Sequence, residues 1–249
     1  LVFGIFFIVK NIFFIYSYMK FSKMKKYIYL LLFIIFTFNV YSHTGHYQGI
    51  VKIEMDVLRN GEKVGYSNYF FEYDDNKTIV KNYTKFKVKI LGTTLFSIAS
   101  EAVEIYENNK LINFKSFTYQ NDKEKFVNLN YDSLSNKFII DGSSYKGVAS
   151  PESVVGNWWN HEILEADKQI SPLSGSIKEQ VVKFIGLETL LINNKKYIAN
   201  HYTLKSKNKN LSSNKKLDFD IWYDSKKKII LKVSYSRLGE WEYILKGIE

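Results

Sequence analysis

Apolar and polar side chains alternate along most of the chain from His46 onward, and this pattern constrains the fold more than any other feature. In the first run Ile53, Met55 and Val57 alternate with charged residues. This two-residue period is typical of a strand with one buried and one solvent-exposed face. Asn60-Gly61 follows directly, and this dipeptide favours a tight hairpin turn. The same alternation recurs at 85–90, 217–223, 229–235 and 241–245. The pattern predicts an all-β, mainly antiparallel fold.

The number of strands sets the shape of the predicted sheet. Turn-forming clusters divide the chain into about a dozen strands joined mostly by short hairpins. Twist accumulates in a sheet of about ten or more strands, which then curls or splits into two layers. The 19 Tyr, 19 Phe and 4 Trp favour curling, because large rings can fill a wide curl or line an apolar groove inside it. We predict a large curled sheet or half-open barrel rather than a two-layer sandwich.

The segment 150–170, SPESVVGNWWNHEILEADKQI, interrupts the alternation. Ser153 could cap a short helix with an apolar side, although Gly156 and Asn157 weaken a helix, so a structured loop is the alternative. In either form the segment is expected to plug the mouth of the curled sheet. Its tryptophans then serve as a core plug or as a lid over a ligand. The candidate ligand-binding residues are Asn157, Trp158, Trp159, Asn160 and His161.

A secretory leader precedes the predicted β domain. Met24–Ser42 has a basic start, an apolar middle at Tyr27–Phe38 and small side chains at Val40 and Ser42, three and one residues before a signal-peptidase cut. The mature chain would begin at His43 and form a single β domain over residues 43–249. We therefore predict an exported protein, in the periplasm, that meets a membrane only through its leader.

Residues 1–23 admit two interpretations. They could be an upstream extension of the reading frame, with translation starting at Met24 or Met19, since the leader is complete without them. Alternatively, Leu1–Tyr18 could be a membrane helix, with the lysines that follow forming a cytoplasmic loop. Both interpretations deliver His43 onward to the outside of the inner membrane.

Charge and cysteine content exclude several classes of protein. Five lysines and no acidic residue precede His43, so the net charge of +10 falls to +5 in the mature part. Its lysines are spread among acidic residues and only Arg59 and Arg237 are arginines, so no nucleic-acid partner is predicted. The chain has no cysteine, which excludes disulfides, thiolate zinc sites and a lipid-anchored lipoprotein. The sequence does not indicate an oligomeric state.

Histidines offer the best starting point for a search for chemistry. After cleavage, His43 would present its amine and imidazole, and with His46 it is a candidate copper site, the only metal hypothesis that the sequence supports. His161 and Glu162 are adjacent, so on a helix they would point about 100° apart, and we expect an exposed polar pair. No other metal site and no cofactor is predicted.

Serine and carboxylate patterns are no stronger. The serines near Gly142 and Gly175 lack the frame of a nucleophile elbow. Glu101 and Glu104 lie three apart and face opposite sides of a strand, whereas Asp218 and Asp220 share a solvent-facing stripe. No catalytic residue is predicted, and an enzyme is less favoured than a binding or structural protein.

Several short motifs resemble one family of exported bacterial proteins. They are IEMDVLRNGEKVGYSNYFFEY at 53–73, the Glu101 and Glu104 strand, NWWN at 157–160, SGSI at 174–177 and DIWYD at 220–224. Together they resemble the domain of unknown function 6134 over nearly the whole mature chain. The resemblance implies an antiparallel sheet curled into a half-open barrel, similar in outline to periplasmic carriers of lipoproteins or lipids. It implies no catalytic residue.

Two functions follow from these patterns. The chain could bind an apolar or lipid-like molecule in the concave face of the curled sheet. Alternatively, it could be a structural or accessory envelope protein with a filled barrel and no ligand. An open space of several hundred cubic ångströms inside the curl would favour the first function.

Overall fold

The computed structural model describes residues 43–212 and 215–249. These residues form fifteen strands and two short 3-10 helices, at His43–Tyr47 and His161–Leu164. In chain order the strands are β1 (Lys52–Arg59), β2 (Glu62–Asp74), β3 (Lys77–Ile90), β4 (Thr93–Glu107), β5 (Lys110–Gln120), β6 (Lys123–Asp132), β7 (Lys137–Gly142), β8 (Tyr145–Ala149), β9 (Val154–Val155), β10 (Lys168–Ile170), β11 (Ile177–Ile192), β12 (Lys195–Ser206), β13 (Asp218–Asp224), β14 (Ile229–Ser236) and β15 (Glu240–Ile248).

All fifteen strands of the described chain belong to one sheet, in the order β8-β7-β6-β5-β4-β3-β2-β1-β15-β14-β13-β12-β11-β10-β9. The first and last strands, β1 and β15, pair antiparallel in the middle. Every pair of neighbours is antiparallel except β9 and β10, which are parallel. The prediction of a single, mainly antiparallel sheet is confirmed. The count exceeds a dozen partly because β9 and β10, with two and three residues, are too short to show alternation.

A short connection brings the two edges of this sheet towards each other. β8 and β9 lie at opposite edges, yet only residues 150–153 join them. Five backbone steps span at most about 18 Å, so the sheet has to curl. The loop after β10 also reaches the other half of the sheet, because Ser116 Oγ donates to Pro172 O at 2.5 Å and Ser144 N to Ser174 O at 3.0 Å. The curled sheet is therefore confirmed, and its edge strands are not paired into a closed barrel.

The predicted hairpin turns are present. Asn60 and Gly61 have φ angles of 51° and 80°, which the tight turn requires, and this fixes the register of β1 against β2. Asparagines take the same left-handed conformation at later turns, namely Asn108, Asn109, Asn121, Asn136, Asn193 and Asn194. The alternation is also confirmed, because Ile53, Met55 and Val57 are all buried. Strand and turn chemistry thus agree along the chain.

The predicted leader at 24–42 and the segment 1–23 lie outside the described residues, and their predictions remain open. Within 43–212 and 215–249, no helix is long and apolar enough to cross a membrane.

Candidate functional site

The segment between β8 and β10 crosses the inside of the curl as an irregular chain. The predicted short helix beginning near Ser153 is wrong: Val154 and Val155 form β9, and only His161–Leu164 make one turn of 3-10 helix. Asn160 caps that turn, because its side chain accepts a hydrogen bond from Glu162 N at 3.0 Å. The alternative, a structured loop, is confirmed. We call residues 154–164 the plug.

One buried carboxyl group anchors the plug to the sheet. Glu104 on β4 is 2% exposed. Its Oε1 accepts hydrogen bonds from Asn157 Nδ2 at 2.8 Å and from Trp159 Nε1 at 2.9 Å, while its Oε2 accepts from Tyr106 Oη at 2.7 Å. Two of the donors thus come from the plug, and the third, Tyr106, comes from β4 itself. The carboxyl group therefore joins β4 to the plug through side-chain hydrogen bonds.

Burial raises the pKa of Glu104 to about 7, although the three donors lower it. A carboxyl group with such a pKa is typical of acid–base sites. Here, however, both of its oxygens are engaged by protein donors. The geometry indicates an anchor for the plug rather than a group presented to a substrate.

The pKa of Glu104 predicts how stability depends on pH. Between about pH 4.5 and pH 7 the folded protein holds a proton that the unfolded chain has released, so raising the pH favours unfolding. At about 1.4 kcal/mol per pKa unit, the loss is on the order of 3 kcal/mol. We expect urea unfolding to show that the stability of the native protein, relative to that of Glu104→Gln, declines from pH 4.5 to pH 8. A relative stability that is constant or rises with pH would contradict the assignment.

A second polar contact holds the other side of the plug. Tyr47 Oη lies within hydrogen-bond distance of the backbone oxygens of Trp159 at 2.7 Å and Lys228 at 3.0 Å and of Nδ1 of His161 at 2.9 Å, so its one proton is shared among them. The expectation that His161 and Glu162 form an exposed pair is wrong for His161, which is 3% exposed and stacks on Tyr223 at 5.7 Å. His161 begins a single 3-10 turn, and its side chain lies against the Tyr47 hydroxyl group. Its imidazole packs as part of the core.

The two tryptophans point into different surroundings. Trp159 is 1% exposed, and its ring meets those of Tyr47, Phe71 and Tyr106 edge-on at 5.0, 5.3 and 5.7 Å. Trp158 is only half-buried. The ring of Trp159 therefore fills one part of the interior, whereas the ring of Trp158 lies at the edge of the packed core.

Trp158 borders a half-open cavity of about 280 Å³. The ring lies 5.0 Å from that of Phe219 and 6.2 Å from that of Tyr243. Rings from both halves of the sheet and polar groups from β2 to β4 share the lining, including Phe86, Phe96, Phe114, Phe219, Tyr235, Tyr243, Ser67, Thr84, Ser100 and Glu104. Arg237 also lines this cavity, so its surface combines apolar rings with polar groups, one carboxyl group and one cation.

A larger and more open groove of about 750 Å³ lies on the other side of the plug. Val155 borders both spaces, so the plug separates them. Tyr106, Tyr131 and Phe138 form part of the groove wall. Its charged residues are mainly acidic, with Glu152, Glu162, Glu165 and Asp167 against Lys110 and Lys168.

The five candidate ligand residues thus lie together in the chain but face three environments. Asn157 and Trp158 line the cavity, Asn160 lines the groove, and Trp159 and His161 are packed in the core. The sequence missed Glu104 as the residue that organises them. Its one signal was its position, two residues from Ala102 and from Tyr106 on the buried face of β4.

The copper hypothesis stays a prediction. His46 is exposed, with its ring 5.8 Å from that of His161, while the side chain of His43 lies outside the described residues. Among the side chains that are described, no group of three or more His, Asp or Glu could hold a metal ion.

Comparison with known proteins agrees with this architecture. The profile of the domain of unknown function DUF6134 matches residues 55–246. The chain belongs to the DUF6134 family. No protein with curated annotation matches it.

Solved structures extend the likeness in fold. A β-barrel-like protein of the domain of unknown function DUF1849 from Brucella abortus superposes with a TM-score of 0.54 at 7% identity, covering 80% of this chain and 96% of that one. A protein with a YmcC-like fold from Bacteroides fragilis, thought to be exported, aligns with a TM-score of 0.34 at 12% identity, covering 80% and 94%. The first shows that this DUF6134 protein shares a barrel-like fold, and the second is too distant to add to that.

Proposed function

We propose that this DUF6134 protein is an exported binding protein, in the periplasm and without a lipid anchor, that holds a small apolar or amphipathic molecule in the cavity beside Trp158. The cavity itself is the main support, because a closely packed barrel would leave no such space. Its volume of about 280 Å³ approaches the lower end of ligand sites, roughly 300–1,000 Å³. Delivery to the periplasm rests on the leader at 24–42.

The shape of the interior limits the ligand. The space equals that of roughly nine water molecules at about 30 Å³ each, so it suits one short chain rather than a whole phospholipid. Rings from β3, β13 and β15 line it, which favours an apolar chain. A longer molecule would have to extend out of the cavity.

Charge at the cavity suggests the polar end of the ligand. Arg237 lines the cavity. Lys178 lies close to Arg237, because burial and the charge of Arg237 lower the pKa of Lys178. The positive charge of Arg237 in the cavity, with Lys178 close to Arg237, favours a molecule whose polar end is an anion. A medium-chain carboxylate combines both properties.

Titration calorimetry with decanoate tests this proposal, using the chain from His43 onward. Decanoate should bind the native protein. Ala102→Leu should weaken binding at least tenfold, because Ala102 is a buried lining residue and three added carbons occupy the space. Ala99→Leu is the matched control, since Ala99 is exposed on the same strand, and it should bind decanoate as the native protein does.

Native mass spectrometry of protein purified from cells supplies a second measurement. A co-purifying apolar molecule that is lost in Ala102→Leu supports the binding function. Protein that is empty in the spectrometer and also fails to bind decanoate would contradict it, and would favour the alternative of an accessory envelope protein without a ligand.

A further inference from the structure

The strand β11 has a long open edge. Its neighbour β10 pairs only with residues 177–179, while β12 pairs with β11 as far as Ile192. Within the described chain, no strand pairs with residues 181–192 on the side away from β12. Unpaired edges of this length are templates for pairing with another chain, and folded proteins normally cover or interrupt them.

The side chains along this edge are unusually apolar for an exposed surface. Leu187 is 68% exposed and Leu191 67%, and Phe184 and Ile185 are each more than half exposed. Across the hairpin, Ile198 is 71% exposed. So many large apolar side chains on one hairpin indicate a surface that another molecule covers.

A bulge determines which backbone groups of this edge face outward. Before the bulge, Gln180 N donates to Asp167 O on the β10 side. The backbone N–H and C=O groups of even-numbered residues therefore face away from β12, and we call such residues outward. The register then shifts, because Phe184 pairs with Tyr202 but Gly186 pairs with His201. Beyond the shift, odd-numbered residues face outward. The outward positions are therefore 182 and 184 before the bulge, and 187 and 189 after it.

We propose that this edge pairs antiparallel with the same edge of a second copy of the chain, with Phe184 opposite Leu187 of the other copy. A two-fold axis then lies between residues 185 and 186. Every outward residue before the bulge meets an outward residue after it, so Val182 also pairs with Thr189 of the other copy. A regular strand could not pair with itself in this odd register, whereas the bulged strand can.

Charge and side-chain pairing favour a second copy over other occupants. In the same register Lys183 lies opposite Glu188 of the other copy, and this happens twice by symmetry. Glu188 already contacts His201 and Trp222 within its own copy, but its side chain is 45% exposed, so a lysine can still approach it. The apolar pair of Phe184 and Leu187 also forms twice. The edge is therefore complementary to itself in apolar side chains, charge and backbone polarity.

Sedimentation velocity at concentrations of about 1 to 100 µM tests the proposal, which is independent of ligand binding. We expect a dimer that dissociates on dilution. A monomer at every concentration would overturn the proposal, including one whose hairpin instead binds anionic lipid vesicles.

Crosslinking tests the register directly, because the natural chain has no cysteine. Residues directly opposite in an antiparallel pair have Cα atoms about 4.5–5.5 Å apart, within the range for a disulfide. A mixture of Phe184→Cys and Leu187→Cys should therefore form a disulfide-linked dimer on oxidation. Neither variant alone should do so, since position 184 lies about 10 Å along the strand from its symmetry mate. Equal crosslinking of the single variants would refute this register.

Charge reversal supplies the matched comparison. Lys183→Glu places carboxylates opposite each other twice and should raise the dissociation constant of the dimer at least tenfold. Lys87→Glu changes an exposed lysine on β3 in the same way, far from this edge, and should leave the constant unchanged. Equal effects of both substitutions would show that only net charge matters, and would contradict the proposed pairing.

Discussion

Glu104→Ala is expected to lower the free energy of unfolding by about 3–5 kcal/mol, because the substitution leaves three buried donors without an acceptor. The donors are Asn157 Nδ2, Trp159 Nε1 and Tyr106 Oη. Each unsatisfied buried group costs about 1–3 kcal/mol, and the loss of the side chain also leaves a void in the packed interior. Urea unfolding near pH 6 measures the difference while the carboxyl group is still largely protonated in the folded state.

Two variants show whether the loss comes from the hydrogen bonds. Glu104→Gln keeps one acceptor oxygen and nearly the same volume, so it should cost less than half as much. Glu101→Ala removes an exposed carboxylate from the same strand and should change stability by no more than about 0.5 kcal/mol. If Glu104→Ala were as mild as Glu101→Ala, Glu104 would not anchor the plug.

Trp159→Ala is the second substitution with a large expected effect, also about 3–5 kcal/mol. The ring is almost fully buried among three other aromatic rings, and its Nε1 is one of the donors to Glu104. Removing it opens a large cavity and also breaks the anchor. Thermal or urea unfolding of the variant measures the loss.

Trp158→Ala separates the structural ring from the ring at the cavity. Trp158 is half-buried, so the loss of stability should be clearly smaller, on the order of 1–2 kcal/mol. The same substitution removes part of the cavity wall and should change decanoate binding. Equal destabilisation by the two tryptophan variants would contradict the division of the plug into a core side and a cavity side.

The fold could be predicted from the sequence because strands and hairpin turns depend on residues that are close together in the chain. Alternation with period two, as in Ile53, Met55 and Val57, sets which face of a strand is buried, and Asn60-Gly61 sets how that strand returns. Repeated along the chain, these rules give one long meander. They do not reveal β9 and β10, which contain only two and three residues and form because the curl brings their partners near.

The candidate site was predicted only in part, because its geometry depends on residues far apart in the chain. The tryptophan pair was recognised, yet nothing in the motif NWWN tells which ring enters the core. Glu104 lies more than fifty positions from its partners Asn157 and Trp159, so its role could not be read locally. His161 was expected at the surface, since sequence spacing says nothing about the Tyr47 hydroxyl group that meets it.

By itself, the sequence determined the strand class of this DUF6134 protein, its hairpin turns and the position of the segment that interrupts the meander. These features follow from neighbouring side chains and backbone angles. Only the tertiary structure decided that the sheet edges approach each other, that one buried carboxyl group anchors the plug, and that a cavity remains beside Trp158. Such features arise from contacts between residues that the chain order keeps apart, and burial then determines their energies.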